Sequence, residues 1–138
     1  MNKKTIYLGG PMAGCTLEEM TGWREQLKKE WGSEFDFRDP CEREYTPQEW
    51  RQLVEDDTKD IDESDYVLCY MWKPGVGSSM ELVYARYNKK PIIVVIPDFK
   101  YVSPWVRYYS DFLVEDFEHA YKIIKQEWKS AVEGVHHP

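Results

Sequence analysis

Apolar positions along this chain alternate between short runs and helical stripes. Thr5-Ile6-Tyr7-Leu8 predicts a first strand, and Gly9-Gly10-Pro11-Met12-Ala13-Gly14 a loop behind it. Met20, Trp23, Leu27 and Trp31 then recur at helical spacing. Thr16 and Glu19 stand at capping-box spacing before them, so a helix is expected through about Trp31. Phe35-Asp36-Phe37 reads as a brief second strand and 38–45 as a charged loop. Thr46-Pro47-Gln48-Glu49 combines an N-cap, a proline at the first helical position and a capping glutamate, starting a helix that runs to about Glu63.

The run Tyr66-Val67-Leu68-Cys69-Tyr70-Met71 predicts a buried third strand, and Gly75 and Gly77 free the backbone after it. Ser78 is the expected N-cap of the next helix, with Glu81 at capping-box spacing and the helix ending near Asn88. Pro91-Ile92-Ile93-Val94-Val95-Ile96 is the fourth strand. The aromatic segment from Tyr101 to Tyr109 has no clear period and reads as loop or short helix, and Phe112-Leu113-Val114 offers a further, edge strand. Asp116 is placed to cap a last helix with Phe117, Ala120, Tyr121, Ile124 and Trp128 on one face, and Val135-His136-His137-Pro138 is expected to fray.

This alternation predicts an α/β fold with a doubly wound parallel sheet of four to five strands and helices on both faces, a flavodoxin-like or Rossmann-like sandwich. A length of 138 residues suits one domain over 1–138. Ligands of such sheets bind beyond the carboxyl ends of the strands, where the two glycine loops lie.

Composition narrows the partners. A net charge of −7, with Lys28-Lys29 and Lys89-Lys90 as isolated basic pairs, argues against a nucleic-acid polymer. No apolar run is long enough to span a membrane, and Met1-Asn2-Lys3-Lys4 leads straight into a strand, so a cytoplasmic protein is expected. Cys15, Cys41 and Cys69 are odd in number and lack metal-ligand spacing, so neither a disulfide framework nor a metal is expected, and no cofactor. The 6 Trp and 10 Tyr exceed the needs of a small core, and segment 101–112 is apolar enough to predict a homo-oligomer.

Among candidate chemistry, Glu81 stands first. It is either a capping glutamate or a nucleophile facing the ligand crevice, and the window around it leaves both readings open. The first loop matches neither G-x-G-x-x-G nor a P-loop, and it lacks the Ser and Thr of a flavin-phosphate loop. In the acidic helix 46–63, Asp57 and Asp60 share a face with Leu53 and Ile61, and acids near a helix C-terminus oppose its dipole. They are either solvated helix acids or acids with a partner.

Three segments carry a resemblance. They are Thr5-Ile6-Tyr7-Leu8-Gly9-Gly10-Pro11, the pattern Asp57-x3-Ile61-x3-Asp65, and Gly77-Ser78-Ser79-Met80-Glu81-Leu82-Val83-Tyr84-Ala85. In this order and spacing the chain resembles the nucleoside 2-deoxyribosyltransferase family, with its relatives that hydrolyse nucleoside 5′-monophosphates, over residues 5 to 96. The third segment is the most specific. The resemblance implies a nucleoside or nucleotide substrate cleaved at its N-glycosidic bond. Glu81 would be the nucleophile, Asp57 would handle the proton on the base, and the Tyr7 hydroxyl would hold Glu81. It also implies substrate contacts from Gly9, Gly10, Met12, Gly77, Ser78 and Ser79, with Ser78, Ser79 and Ser110 as hydroxyls for a phosphate.

Two positions depart from the pattern. The transferases carry a sugar-binding aspartate six residues before the glutamate, where this chain has Gly75. The phosphate-specific hydrolases carry an arginine in the first loop, where it has Ala13. Transferase, hydrolase and a nucleotide-sensing module without turnover therefore remain open.

Overall fold

The computed structural model describes residues 2–132, and side chains through 126. The expected frayed tail at 135–138 and the placing of the Trp128 side chain lie outside what is described. Five strands form one sheet: β1 (Lys4–Gly9), β2 (Phe35–Arg38), β3 (Tyr66–Tyr70), β4 (Ile92–Val95) and β5 (Phe112–Val114). Their order is β2-β1-β3-β4-β5 and every pair is parallel. This is the flavodoxin-like order, in which the chain reverses direction between β1 and β3. Phe112–Val114 is thus a strand of the sheet, at its edge.

Strand alternation divides the core. Ile6, Leu8, Leu68, Ile93 and Val95 face one side, where Leu27 and Trp31 of α1 (Leu17–Trp31) and Ala120 and Ile124 of α5 (Phe117–Val132) cover them. Tyr7, Val67, Cys69, Ile92 and Val94 face the other. There they meet Ile61 of α2 (Trp50–Asp62), Leu82 and Ala85 of α3 (Val76–Tyr87) and Val106 of α4 (Pro104–Tyr108). Each fully buried Ile, Leu or Val contributes roughly 1.5–3 kcal/mol, so β3 and β4, apolar on both faces, anchor the fold.

The caps explain most element boundaries. Thr16 and Glu19 form the expected capping box: the Thr16 hydroxyl accepts from the Glu19 N–H at 3.1 Å and the Glu19 carboxylate from the Thr16 N–H at 2.8 Å. Glu49 accepts from the Thr46 N–H at 2.8 Å, although a 3-10 turn (Pro47–Glu49) precedes the α-helix proper. Asp116 accepts from the His119 N–H at 2.8 Å at the start of α5. At the amino edge of the sheet, Asp65 accepts from the Thr5 N–H at 2.8 Å and Asp111 from the Ile92 N–H at 2.7 Å, pinning the starts of β1 and β4.

One expected cap is corrected. Helix α3 starts at Val76, two residues before the point where Ser78 would have capped it, and its N-cap is Gly75 in an extended conformation. The Gly75 carbonyl accepts from both the Ser79 N–H, at 3.0 Å, and the Ser79 hydroxyl, at 2.8 Å. A serine cap needs extended backbone at the serine itself, whereas Ser78 is already helical and buried. Glu81 consequently falls in the second turn, beyond reach of the cap.

Candidate active site

Strand β1 carries Tyr7 on the side that α3 covers, and the second turn of α3 carries Glu81 back toward it. The Tyr7 hydroxyl donates to Glu81 Oε2 at 2.6 Å, and the Tyr7 side chain is fully buried. Gly9 ends the strand beside them. A β-carbon there would lie 3.6 Å from Glu81 Oε1 and 3.5 Å from the Tyr7 ring, taking the space before the carboxylate. Burial holds the Tyr7 phenol well above its ordinary pKa, and the charges of Glu81 and Asp57 add to this. Tyr7 therefore stays a donor and fixes Glu81 as its acceptor.

Asp57 reaches the same point from the middle of α2. Burial pushes the Glu81 carboxyl up to about 7, with the charge of Asp57 and a hydrogen bond to it adding to the rise, while Tyr7 and Arg24 oppose it. Burial raises the Asp57 carboxyl as well, against the pull of Arg43. Two carboxyls that meet in this way share a proton more readily than they both ionise.

Arg43 anchors the acid side. Its guanidinium donates to Asp60 at 2.6 Å, Asp57 at 3.0 Å and the Tyr45 hydroxyl at 2.6 Å, and Tyr45 donates to Asp56 at 2.6 Å. The acidic face of α2 is thus organised by a cation from the loop at 38–45. Salt bridges orient Asp57 and hold Asp60 below it.

Arg24 is not among the expected site residues, yet it is fully buried beneath the first glycine loop. It donates to the carbonyls of Leu8 (3.2 Å), Gly10 (3.3 Å) and Met20, and pairs with Asp39 at 3.7 Å. It closes the end of β1 and bears a positive charge that lowers both Glu81 and Tyr7. A signal did exist: Arg24 lies four residues after Met20 and three before Leu27, on the apolar stripe of α1.

Other expected site residues are placed unequally. Gly10 packs tightly: a β-carbon would meet the Trp23 ring at 3.0 Å and the Tyr70 carbonyl at 3.1 Å. Met12 is exposed in the loop, Gly77 is exposed, and Ser78 is buried. Ser79 lines a cavity of about 590 Å³ together with Gly75, Trp72 and Met80. Ser110 is not brought to this group. It precedes β5 at the amino edge of the sheet, and its hydroxyl donates to the Val106 carbonyl at 2.5 Å. Among the described residues, no three His, Cys, Asp or Glu side chains are arranged to hold a metal ion, and no helix is long and apolar enough to cross a membrane.

No family model and no curated protein matches the chain. Solved structures do. A 2-deoxyribosyltransferase from Bacillus psychrosaccharolyticus is 20% identical with a TM-score of 0.66, over 84% of this chain and 89% of that one. A 2-desoxiribosyltransferase from Leishmania mexicana is 20% identical with a TM-score of 0.58, over 69% of this chain and 65% of that one. A conserved protein from Enterococcus faecalis V583 is 15% identical with a TM-score of 0.70, over 91% and 99%. The five-stranded parallel sheet and its helices therefore have the fold on which the 2-deoxyribosyltransferases of Bacillus psychrosaccharolyticus and Leishmania mexicana are built.

Proposed function

We propose that this protein breaks the N-glycosidic bond of a 2′-deoxynucleoside or its 5′-monophosphate through a covalent glycosyl-Glu81 intermediate, as a deoxyribosyltransferase or the corresponding hydrolase. The observation that carries the proposal is the 2.6 Å bond from a buried tyrosine to a carboxylate with a second acid beside it. Glu81 Oε1 forms the bond to C1′ as the C1′–N bond breaks, and the proton held by Asp57 passes to the departing base. A second base or a water then attacks C1′, frees the Glu81 carboxylate and returns a proton to Asp57. The division of labour is that of retaining glycosidases, where one carboxylate traps the sugar and the other moves the proton. Exposed rings at Tyr101, Trp105 and Tyr108 support an assembly of several copies.

Chromatography of the free base released from deoxynucleosides and deoxynucleotides tests the reading. Wild type should release base. Glu81→Ala should lose roughly 10³-fold or more in kcat while keeping a near-normal fold. Wild-type turnover by that variant would remove Glu81 as the nucleophile. Exchange into a second added base identifies a transferase, and free sugar alone a hydrolase. No release from any substrate, with ligand still raising the Tm, would leave a nucleotide-sensing module.

A further inference from the structure

Arg43 has donors to spare beside the acid that moves the proton. A guanidinium carries five N–H groups in a fixed fork. Among the described residues three of them are used: Nε on the Tyr45 hydroxyl and Nη1 on Asp60, both at 2.6 Å, and Nη2 on Asp57 at 3.0 Å. One hydrogen therefore remains on each Nη. Tyr45 passes its own hydrogen to Asp56 at 2.6 Å, so the fork is gripped from several directions and cannot swing freely. The Arg43 side chain is 31% exposed and that of Asp57 15%, so a ligand can reach both.

With Glu81 at C1′ and Asp57 as the acid, the departing base must touch Asp57. Asp57 hydrogen-bonds Glu81 on one side and Arg43 on the other. A base that takes the Asp57 proton at one atom thus turns the neighbouring atom of the same edge toward a spare N–H of Arg43. Two donors side by side select two acceptors side by side. A 6-oxopurine has them, because N7 and O6 share an edge and both accept. Adenine sets its N6 amino group beside N7, so donor would face donor and a charged group would lose a hydrogen bond. Cytosine also carries two acceptors, O2 and N3. They flank a single carbon and stand closer together than the 3.0 Å between Asp57 and Arg43 suits.

We propose that Arg43 selects the base, and that the substrate is a 6-oxopurine 2′-deoxynucleoside or its 5′-monophosphate, bound with N7 on Asp57 and O6 on Arg43. The assignment rests on the glycosidic reading of Glu81 and Asp57. As Glu81 bonds C1′, the C1′–N9 bond breaks and its electron pair stays on the base. The Asp57 proton goes to N7, and the base departs as its neutral 7H tautomer. The Arg43 N–H on O6 draws off the negative charge that builds on the leaving ring.

Base release from 2′-deoxyguanosine, 2′-deoxyinosine, 2′-deoxyadenosine, 2′-deoxycytidine and purine 2′-deoxyriboside, and from their 5′-monophosphates, decides the matter. Wild type should favour the guanine and hypoxanthine substrates over adenine by about 10-fold or more in kcat/KM. Those two should be used alike, since they differ only in the 2-amino group. Unsubstituted purine, with neither donor nor acceptor at C6, should fall between them and adenine, a ranking that needs no variant. Arg43→Gln, whose amide both donates and accepts, should bring the guanine-to-adenine ratio near one. Arg43→Lys, which only donates, should keep a preference of a few-fold. Any loss of Asp57 orientation slows all substrates together and leaves the ratio alone. Equal use of adenine and 6-oxopurines by wild type, a preference for adenine or cytosine, or a ratio untouched by Arg43→Gln overturns the proposal.

Binding separates this from the chemistry. Base released without preference leaves the glycosidic reading standing and removes the role of Arg43. If nothing releases base, the glycosidic reading fails. Base selection by Arg43 then still stands if calorimetry shows the guanine ligand binding more tightly than its adenine counterpart, with the difference lost in Arg43→Gln. It falls if neither ligand binds or both bind alike.

Discussion

Two clusters of buried polar groups lie on opposite faces of β1, and they are built on opposite rules. Under the first loop, Arg24 and Lys28 meet Asp39 at 3.7 and 2.8 Å, and Arg24 also takes up carbonyls of Leu8 and Gly10. Cation answers anion there, and the hydrogen bonds of Asp39, Glu42 and Glu25 raise the Lys28 ammonium far above its ordinary value. Across the strand, Tyr7, Glu81 and Asp57 bring a phenol and two acids together; Arg43 bonds Asp57 at 3.0 Å, but among the described residues no cation bonds Glu81. The first arrangement is satisfied by its own members. In the second, ionisation of one acid penalises ionisation of the other, and that tension is what a reaction with a travelling proton can use.

Breaking the balanced cluster should have the largest effect. Arg24→Met leaves Asp39 with Lys28 as its one cation beside the Cys41 N–H and takes a donor from three carbonyls, and should lower stability by about 3–5 kcal/mol, read from denaturant unfolding. A loss below about 1 kcal/mol would show that this cluster is no more structural than its neighbour.

The Tyr7–Glu81 bond comes next. Tyr7→Phe should lower kcat/KM for base release by about 10–100-fold, on the order of 1.4–2.7 kcal/mol, the scale of a hydrogen bond to a charged group. Because the hydroxyl holds the Glu81 pKa down, its removal should also move the acid limb of the pH–rate profile upward from near 7. An unmoved limb would mean that another group sets it.

The third effect is smaller and sharpens the contrast without any substrate. Glu81 titrates near 7 in the fold and near its ordinary 4.5 when unfolded, so the native state binds the extra proton between those values and stability declines as pH rises through them. Glu81→Gln removes that penalty. It should raise the Tm by several °C at pH 8, on the order of 1–3 kcal/mol, and by almost nothing at pH 4.5. A gain equal at both values would trace the effect to packing.

Much of this was legible in the sequence. The short apolar runs and capped helices gave the sheet and its layers, because periodicity and caps are local properties. Tyr7, Asp57 and Glu81 were picked out by resemblance and lie together, although the reading of Glu81 as a cap turned on Ser78. Gly75, five residues after β3 ends at Tyr70, takes the extended backbone that a cap needs, and no side-chain pattern marks that choice. Arg24 was overlooked since a charged residue on an apolar stripe is ordinarily assigned to the stripe's margin. Arg43 was hidden in a segment set down only as charged.

The placing of Tyr7 between Ile6 and Leu8 has a last consequence. The two-residue rhythm that sends its neighbours into the α1–α5 layer is what aims the phenol at Glu81. A single inserted or deleted residue within β1 would turn the ring to the wrong side of the sheet while exchanging which aliphatic chains fill each half of the core. Folding and reactivity are thus proofread together along this strand, and lineages of the protein could vary its loops far more freely than its length.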